Sequence, residues 1–275
     1  MTDMDIARIR EWGELGWLRH GFSRRGGGVS EAYAGKSLNL GWTKEDDPTC
    51  VRENRRRFVE EVSGKLTAMQ LVTVRQIHSD VVRVVRSGDG ALEGRLQTQE
   101  GKAVLEGDGL VTHVRGVLLG VGTADCVPVL VVDRVRRVVG AFHAGWRGTV
   151  ARIVEAGIAT MRQEYGSQPE HLVAAVGPSI GTCCYAVGEE VRDRFAGEFE
   201  YGADLFRSVG GEMFVDLWEA NRRQLLDAGV CVERITVVGE CTGCARTTDG
   251  ERRYFSHRVE RGVAGRMLNV VGIGE

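Results

Sequence analysis

The chain has 275 residues, enough for one large domain or two small ones, and a formal net charge of −2. That balance gives no electrostatic case for nucleic acid or an anionic membrane as partner. Met1–Arg10 mixes acids and arginines with its apolar residues and shows no signal-peptide core, and no apolar run is long enough to cross a bilayer. The seven cysteines are an odd number and Cys183 and Cys184 are adjacent, so a disulfide framework is not expected. The expectation is a soluble protein of the reducing cytoplasm. With no repeat, low-complexity tract or clear linker, residues 1–275 read as a single domain.

In chain order, the first segment of distinct character is Gly21–Gly41, GFSRRGGGVSEAYAGKSLNLG. Its three glycines after Arg24-Arg25 read as a flexible loop that either offers amides and guanidiniums to an anion or is plain surface. It lacks the Lys-Ser/Thr ending of a P-loop. Asp46-Asp47-Pro48 then opens a helix through Val51, Arg55, Phe58, Val59 and Val62, whose face of Arg52, Glu53 and Arg55–Arg57 reads as solvated. Leu71–Gln76 and Val81–Val85 alternate as strands, with His78 of QIHSD between them. Arg86–Gly101 is a polar excursion. Asp108 sits in a glycine turn leading into a strand at Leu110–His113, and Val117–Val121 is a further strand.

The stretch from Gly120 to Thr149, GVGTADCVPVLVVDRVRRVVGAFHAGWRGT, organises the rest. Pro128–Asp133 and Arg137–His143 read as buried strands joined by a charged hairpin turn. Antiparallel pairing of these runs places Cys126 beside His143. A thiol next to an imidazole is a nucleophile with its base, two ligands of one metal, or a buried cysteine near an unrelated histidine. The glycines flanking Trp146-Arg147 suggest backbone close to a ligand.

After His143 a helix is expected over Thr149–Tyr165 with Thr149 as its cap, then a buried strand at Leu172–Val176. Helices follow at Glu189–Phe195 and Leu217–Ala228, the second opened by Asp216 and closed by Gly229, and Ile235–Val238 is a late strand. Cys241-xx-Cys244 has the spacing of half a zinc knuckle, but Cys183-Cys184 does not supply the usual second pair, so a structural zinc is not expected and the pair reads as incidental. The tail after Tyr254-Phe255-Ser256-His257-Arg258 reads only as an arginine-rich end.

Fragments running nearly end to end now carry a resemblance: HGFSRRGGGVS, SLNLG, DDPxxVxENRRR, QIHSD, GDGLVT, TADCVPVLVVD, AFHAGWRGT, VGPSIGTCCYAVG, DLWEANRRQL, and CT followed by YFSHR. In this order they resemble the laccase-domain family, long described as polyphenol oxidases and now regarded as purine nucleoside phosphorylases. The resemblance implies an α+β fold, a sandwich of mixed sheets flanked by helices and similar to Cys-His deamidating toxins. It also implies a metal site, zinc or possibly copper, built from His78, Cys126 and His143. Two departures stand out: Arg24 where the family usually has Thr, and His257 where Tyr is common. Cys244 is peculiar to this chain.

Two imidazoles and a thiolate leave Zn²⁺ a net charge of about +1 and an open position, the layout of a catalytic site. Six histidines cannot furnish both centres of a multicopper oxidase, which disfavours that chemistry. The expected reaction is phosphorolysis of a purine nucleoside, with adenosine deamination as a companion activity. His78, Cys126, His143 and Asp125 are the candidate catalytic residues, Asp108 being an alternative acid. Arg25, Asn39 and Arg147 are the candidate substrate-binding residues, the two arginines holding phosphate. Two competing readings remain: a metal-free thiol hydrolase acting on a cell-wall precursor, with Cys126 as nucleophile and His143 as base, and a non-catalytic, zinc-stabilised partner of envelope proteins.

Overall fold

The structure is a computed structural model that describes residues 4–64 and 68–274; Met1–Asp3, part of the amino-terminal stretch read above for a leader, lie outside the described residues, as do Lys65–Thr67 and Glu275. The elements begin with strands β1 (Ile6–Ala7), β2 (Leu18–Ser23) and β3 (Gly26–Ser30), helix α1 (Pro48–Ser63), and strands β4 (Gln70–Thr73) and β5 (Val82–Val85). Next come β6 (Gly109–Thr112), β7 (Val117–Thr123), β8 (Val127–Asp133) and β9 (Val138–Ala144), then helices α2 (Trp146–Val150) and α3 (Ile153–Tyr165). The last part holds β10 (Leu172–Val176), β11 (Ala186–Val187), α4 (Glu189–Glu198), β12 (Phe206–Val209), β13 (Glu212–Val215), α5 (Leu217–Asp227), β14 (Ile235–Val237) and β15 (Met267–Ile273).

One sheet has the order β1-β2-β15-β7-β4, a second β14-β10-β8-β9-β6-β5, and a small third β11-β13-β12. Both large sheets are mixed: β4 runs parallel to β7, β5 to β6 and β10 to β14, and the other pairs are antiparallel. The layering follows from side-chain alternation on β8. Val127, Val129 and Val131 pack with Ile153, Val154 and Met161 of α3 and Leu225 of α5, whereas Leu130 and Val132 pack with Leu119, Val121 and Val271 of the first sheet. A strand with helices on one face and a sheet on the other has no solvent side, which is why its sequence is continuously apolar. Helix α1 covers the outer face of the first sheet through Phe58 and Val62. The result is the α+β sandwich of mixed sheets flanked by helices that the family resemblance implies. No helix among the described residues is long and apolar enough to cross a membrane.

Several local expectations are corrected. The glycine run after Arg25 is not a flexible loop: Gly26–Ser30 is a strand laid against Ser37, and Gly28 donates to the Lys36 carbonyl at 3.0 Å. A Cβ at Gly28 would fall 2.1 Å from the Ser37 carbonyl oxygen, so the glycine serves close backbone approach. The helix expected from Thr149 is two helices, because Arg152 takes a left-handed conformation at φ 61° between them. Thr149 caps neither; its hydroxyl accepts from Asn221 and its carbonyl from Gln224 of α5. The arginine-rich end, to which no element was assigned, holds β15, at the centre of the first sheet between β2 and β7. Asp216, by contrast, caps α5 as expected, accepting from the Glu219 amide at 2.9 Å.

Helix α3 sits directly on the ring of Phe142, which is fully buried; a Cβ at Gly157 would meet that ring at 2.3 Å. Alanine at a helical position gains about 1 kcal/mol over glycine in propensity. Displacing an immobilised core ring costs about 1–3 kcal/mol, and at 2.3 Å the upper part of that range applies. Gly157→Ala is therefore expected to lower the unfolding free energy measured by urea denaturation; an increase would show that the α3–β9 contact can relax.

Candidate functional site

The site forms where the β8–β9 hairpin opens. Val127 pairs with Ala144 and Pro128 with His143, so Cys126, one residue before β8, lies beside Gly145, one residue after β9. A Cβ at Gly145 would stand 3.0 Å from Cys126 Sγ and 3.2 Å from His78 Cδ2. Only a glycine leaves room for both side chains there. His78 arrives on the segment after β4, itself in a left-handed conformation at φ 60°. The ligand-capable atoms of His78, Cys126 and His143 all lie within 4.8 Å of one another. His143 is buried, Cys126 half-buried and His78 exposed.

One carboxylate assembles this group. Asp108 Oδ1 accepts from the His78 amide at 3.0 Å and bonds His143 Nδ1 at 2.8 Å. Its Oδ2 accepts from the Ser79 amide at 2.7 Å, the Ser79 hydroxyl at 2.8 Å and the Ile77 amide at 3.2 Å. Burial opposes its charge, but the His143 bond and the Ser79 donors outweigh it and hold the carboxyl well below the usual range. An ionised carboxylate only accepts, so the neutral imidazole carries its proton on Nδ1 and turns the lone pair of Nε2 to the thiol side, where a metal or a second proton is taken up. Gln76 fastens the same segment to β7 by exchanging two 2.8 Å bonds with the Gly122 backbone.

The carboxylate of Asp125, expected among the catalytic groups, is hydrogen-bonded on both oxygens. Its Oδ1 accepts from the Thr242 hydroxyl and its Oδ2 from the Arg258 amide, both at 2.7 Å, while its carbonyl accepts from Ile180. These contacts stabilise a backbone at φ 91°, costly for a non-glycine residue, and present Cys126. Both oxygens of Asp125 are thus engaged in holding the loop that carries Cys126.

Beside the three ligand-capable residues opens a cavity of about 620 Å³, within the range that takes a nucleoside-sized molecule. Its cationic lining is Arg55, Arg75, Lys102 and Arg266, with Trp42 and His257. Arg55, expected to be solvated, instead points inward, 5.0 Å over the Trp42 ring, and burial pushes its pKa down to about 10. The helical spacing Val51, Arg55, Phe58, Val62 already put it on the inner face. Arg75 is paired with Glu106, while Lys102 makes no ion pair among the described residues.

Arg25 and Arg147 do not line this cavity. Arg25 is bound to Glu260 at 2.6 Å and to the Tyr33 carbonyl, and lies over the Phe255 ring. Arg147 is exposed and stacks 4.3 Å over Trp146. Asn39 is fully buried and fastens loops, donating to Asp46 at 2.7 Å and accepting from the Arg266 amide at 2.9 Å. Of the two departures noted in the sequence, His257 lines the cavity, whereas Arg24 is tied to Asp5, Tyr254 and Glu240 outside it.

Without a metal, Cys126 and His143 form an ion pair. Burial opposes the thiolate, but the charge and hydrogen bond of His143, joined by His78, bring its pKa down to about 6. Burial likewise opposes the imidazolium, and the thiolate and Asp108 raise His143 to about 9. The depressed thiol favours folding at high pH and loses that contribution as pH falls through about 6; the raised imidazole favours folding at low pH and loses it as pH rises through about 9. In metal-free protein the ultraviolet thiolate absorbance, and with it iodoacetamide alkylation of Cys126, should rise with a midpoint near pH 6. A midpoint at the ordinary thiol value of 9.0 would show that the pair is not formed.

Comparison with known proteins gives this geometry a family. Residues 19–274 match the family model described as multi-copper polyphenol oxidoreductase laccase. Purine nucleoside phosphorylase YlmD of Geobacillus stearothermophilus is 37% identical over 272 residues, covering 94% of this chain and 94% of that protein. Adenosine deaminase RL5 of an unknown prokaryotic organism is 36% identical over 240 residues, covering 86% and 87%. The crystal structure of the Bacillus licheniformis hypothetical protein YfiH superposes with a TM-score of 0.86 at 33% identity, over 99% of this chain and 97% of that one. The chain belongs to the multi-copper polyphenol oxidoreductase laccase family.

Proposed function

We propose that this chain is a zinc-dependent purine nucleoside phosphorylase, cleaving adenosine or inosine with phosphate to the free base and ribose-1-phosphate. The observation that carries the reading is the convergence of two imidazoles and a thiol at the wall of a cation-lined cavity of nucleoside size. The donor set fits the metal. Asp108 pre-sets the His143 tautomer as an outer carboxylate does in zinc sites, and the depressed Cys126 pKa readies the thiolate. Zinc is favoured over multicopper chemistry because the two metal-capable clusters among the described residues offer at most two imidazoles each. Free thiols throughout suit a reducing, cytoplasmic setting.

His78, Cys126 and His143 would hold the ion, which when bound supplies Lewis-acid stabilisation of developing negative charge. The chain's other groups bind and orient. Lys102, Arg55 and Arg266 face the cavity and neutralise an incoming phosphate, and Trp42 with the Arg55 guanidinium above it offers a flat surface to a purine. An oxygen of hydrogenphosphate bonds to C1′ as the bond from C1′ to the purine nitrogen breaks; the electron pair of that bond leaves with the base, which takes up the proton that the hydrogenphosphate gives up. The name of the RL5 relative supports deamination of adenosine at the same site as a companion activity.

The line Asp108–His143–Cys126 favours a second reading, a metal-independent thiol hydrolase in which Cys126 attacks an amide carbonyl. The exposed imidazole of His78 has no part in such a mechanism.

Incubation of zinc-replete protein with adenosine and phosphate should yield adenine and ribose-1-phosphate, with inosine if deamination accompanies it. Cys126→Ala should lose zinc at this site and the activity while keeping its circular dichroism spectrum. Lys102→Met should raise the KM for phosphate about tenfold or more and leave the nucleoside KM near its original value, whereas Arg147→Met should change neither. Full activity after exhaustive chelation would overturn the metal reading in favour of the thiol one.

A further inference from the structure

The four remaining clustered cysteines stand apart from the cavity. Cys183 and Cys184 follow the strand β10 on the turn Gly177–Tyr185, and Cys241 and Cys244 lie on the turn after β14. The expectation that Cys183-Cys184 has no geometry to complete the CxxC pair is corrected: all four sulfurs lie within 4.8 Å of one another, and Cys183 and Cys244 are 3.4 Å apart. We propose that Cys183, Cys184, Cys241 and Cys244 bind a second, structural zinc ion that clamps these two turns together.

Geometry and chemistry agree on the ligand. Zinc–sulfur bonds of about 2.3 Å in a tetrahedron set sulfurs about 3.8 Å apart, a spacing that this cluster reaches by small rotations of side chains. The turns are shaped around the sulfurs. A Cβ at Gly243 would fall 2.9 Å from Cys184 Cβ and 3.1 Å from its Sγ, so glycine is what lets the Cys241–Cys244 turn close over its partner. Gly181 donates its amide to Cys241 Sγ at 3.2 Å, a bond that suits a metal-held thiolate. Backbone bonds from Cys184 to the Gly181 carbonyl and from Ala245 to the Cys241 carbonyl fix each turn independently.

Charge is also provided for. Four thiolates on one Zn²⁺ leave a net −2, and Arg207 and Arg252 hydrogen-bond the carbonyls of Thr182 and Gly243, next to the cysteines in each turn. The consequence reaches the other site through Thr242. This residue lies inside the Cys241–Cys244 turn, donates to Asp125 at 2.7 Å and bonds the Ser179 carbonyl through its amide at 3.0 Å. The proposed ion thus braces the clamp that holds Asp125 and presents Cys126. It does not depend on the reaction assigned above; only the second zinc equivalent expected in wild type rests on the ion proposed at His78, Cys126 and His143.

The test is zinc content per full-length chain, measured after dialysis against zinc-free buffer. Wild type should hold about two equivalents and Cys126→Ala about one. The Cys183→Ser/Cys244→Ser double variant should hold about one, and the triple combination with Cys126→Ala none. If the double variant fails to fold, Cys126→Ala alone still decides: exchanged into cobalt, it should show intense thiolate-to-cobalt charge-transfer absorption, and chelation should lower its Tm. Metal-free, folded Cys126→Ala protein would overturn the proposal. So would a mass two hydrogens lighter, a Cys183–Cys244 disulfide, in protein isolated under reducing conditions.

Discussion

The buried carboxylate of Asp108 is the constraint on which the site depends. It accepts from three consecutive amides, Ile77, His78 and Ser79, and from the ring of His143, so the loop between β4 and β5 and the strand β9 meet at one charge. Such a group is costly to bury unless every lone pair is used, and here both oxygens are. The arrangement holds the two imidazoles at 5.0 Å between ring centroids before any ligand arrives, which is preorganisation in its plainest form.

A second carboxylate plays the same part for the thiol. Asp125 is pinned from the far side by Thr242 and Arg258, residues more than a hundred positions away, and its left-handed backbone turns Cys126 toward the histidines. The site is therefore built by acids whose charges are spent on positioning. The cations that face the cavity come from elsewhere: helix α1, the segment after β4, the excursion around Lys102, and the approach to β15.

What could be read in the sequence was local. The β8–β9 hairpin is bounded by its own charged turn, so the juxtaposition of Cys126 and His143 needed only strand pairing, and Asp216 marked the start of α5 by its capping chemistry. The rest was hidden by sequence separation. The partners of Asp108 are 29 to 35 residues away, and Arg25 looked available until Glu260, 235 residues on, was brought against it. Strand β15 carries no local strand signal, because its short run is interrupted by Asn269 and Gly272; the buried asparagine donates to the Val121 carbonyl and the Thr123 hydroxyl of the neighbouring strand. The cysteine pairs, 61 residues apart at Cys183 and Cys244, likewise meet only in three dimensions. The inward direction of Arg55 is legible in its helical position, which lies with Val51 and Phe58 rather than with the solvated face.

Zinc affinity of Asp108→Asn tests the account most directly. The amide would offer one acceptor in place of two and set an N–H against donors of the His78 loop, leaving the three ligands their identity but not their orientation. A protein that stays folded by circular dichroism should bind zinc at the His78–Cys126–His143 site about 10–100-fold more weakly, with activity falling in parallel. Unchanged zinc affinity in the folded variant would contradict the claim that this carboxylate assembles the site.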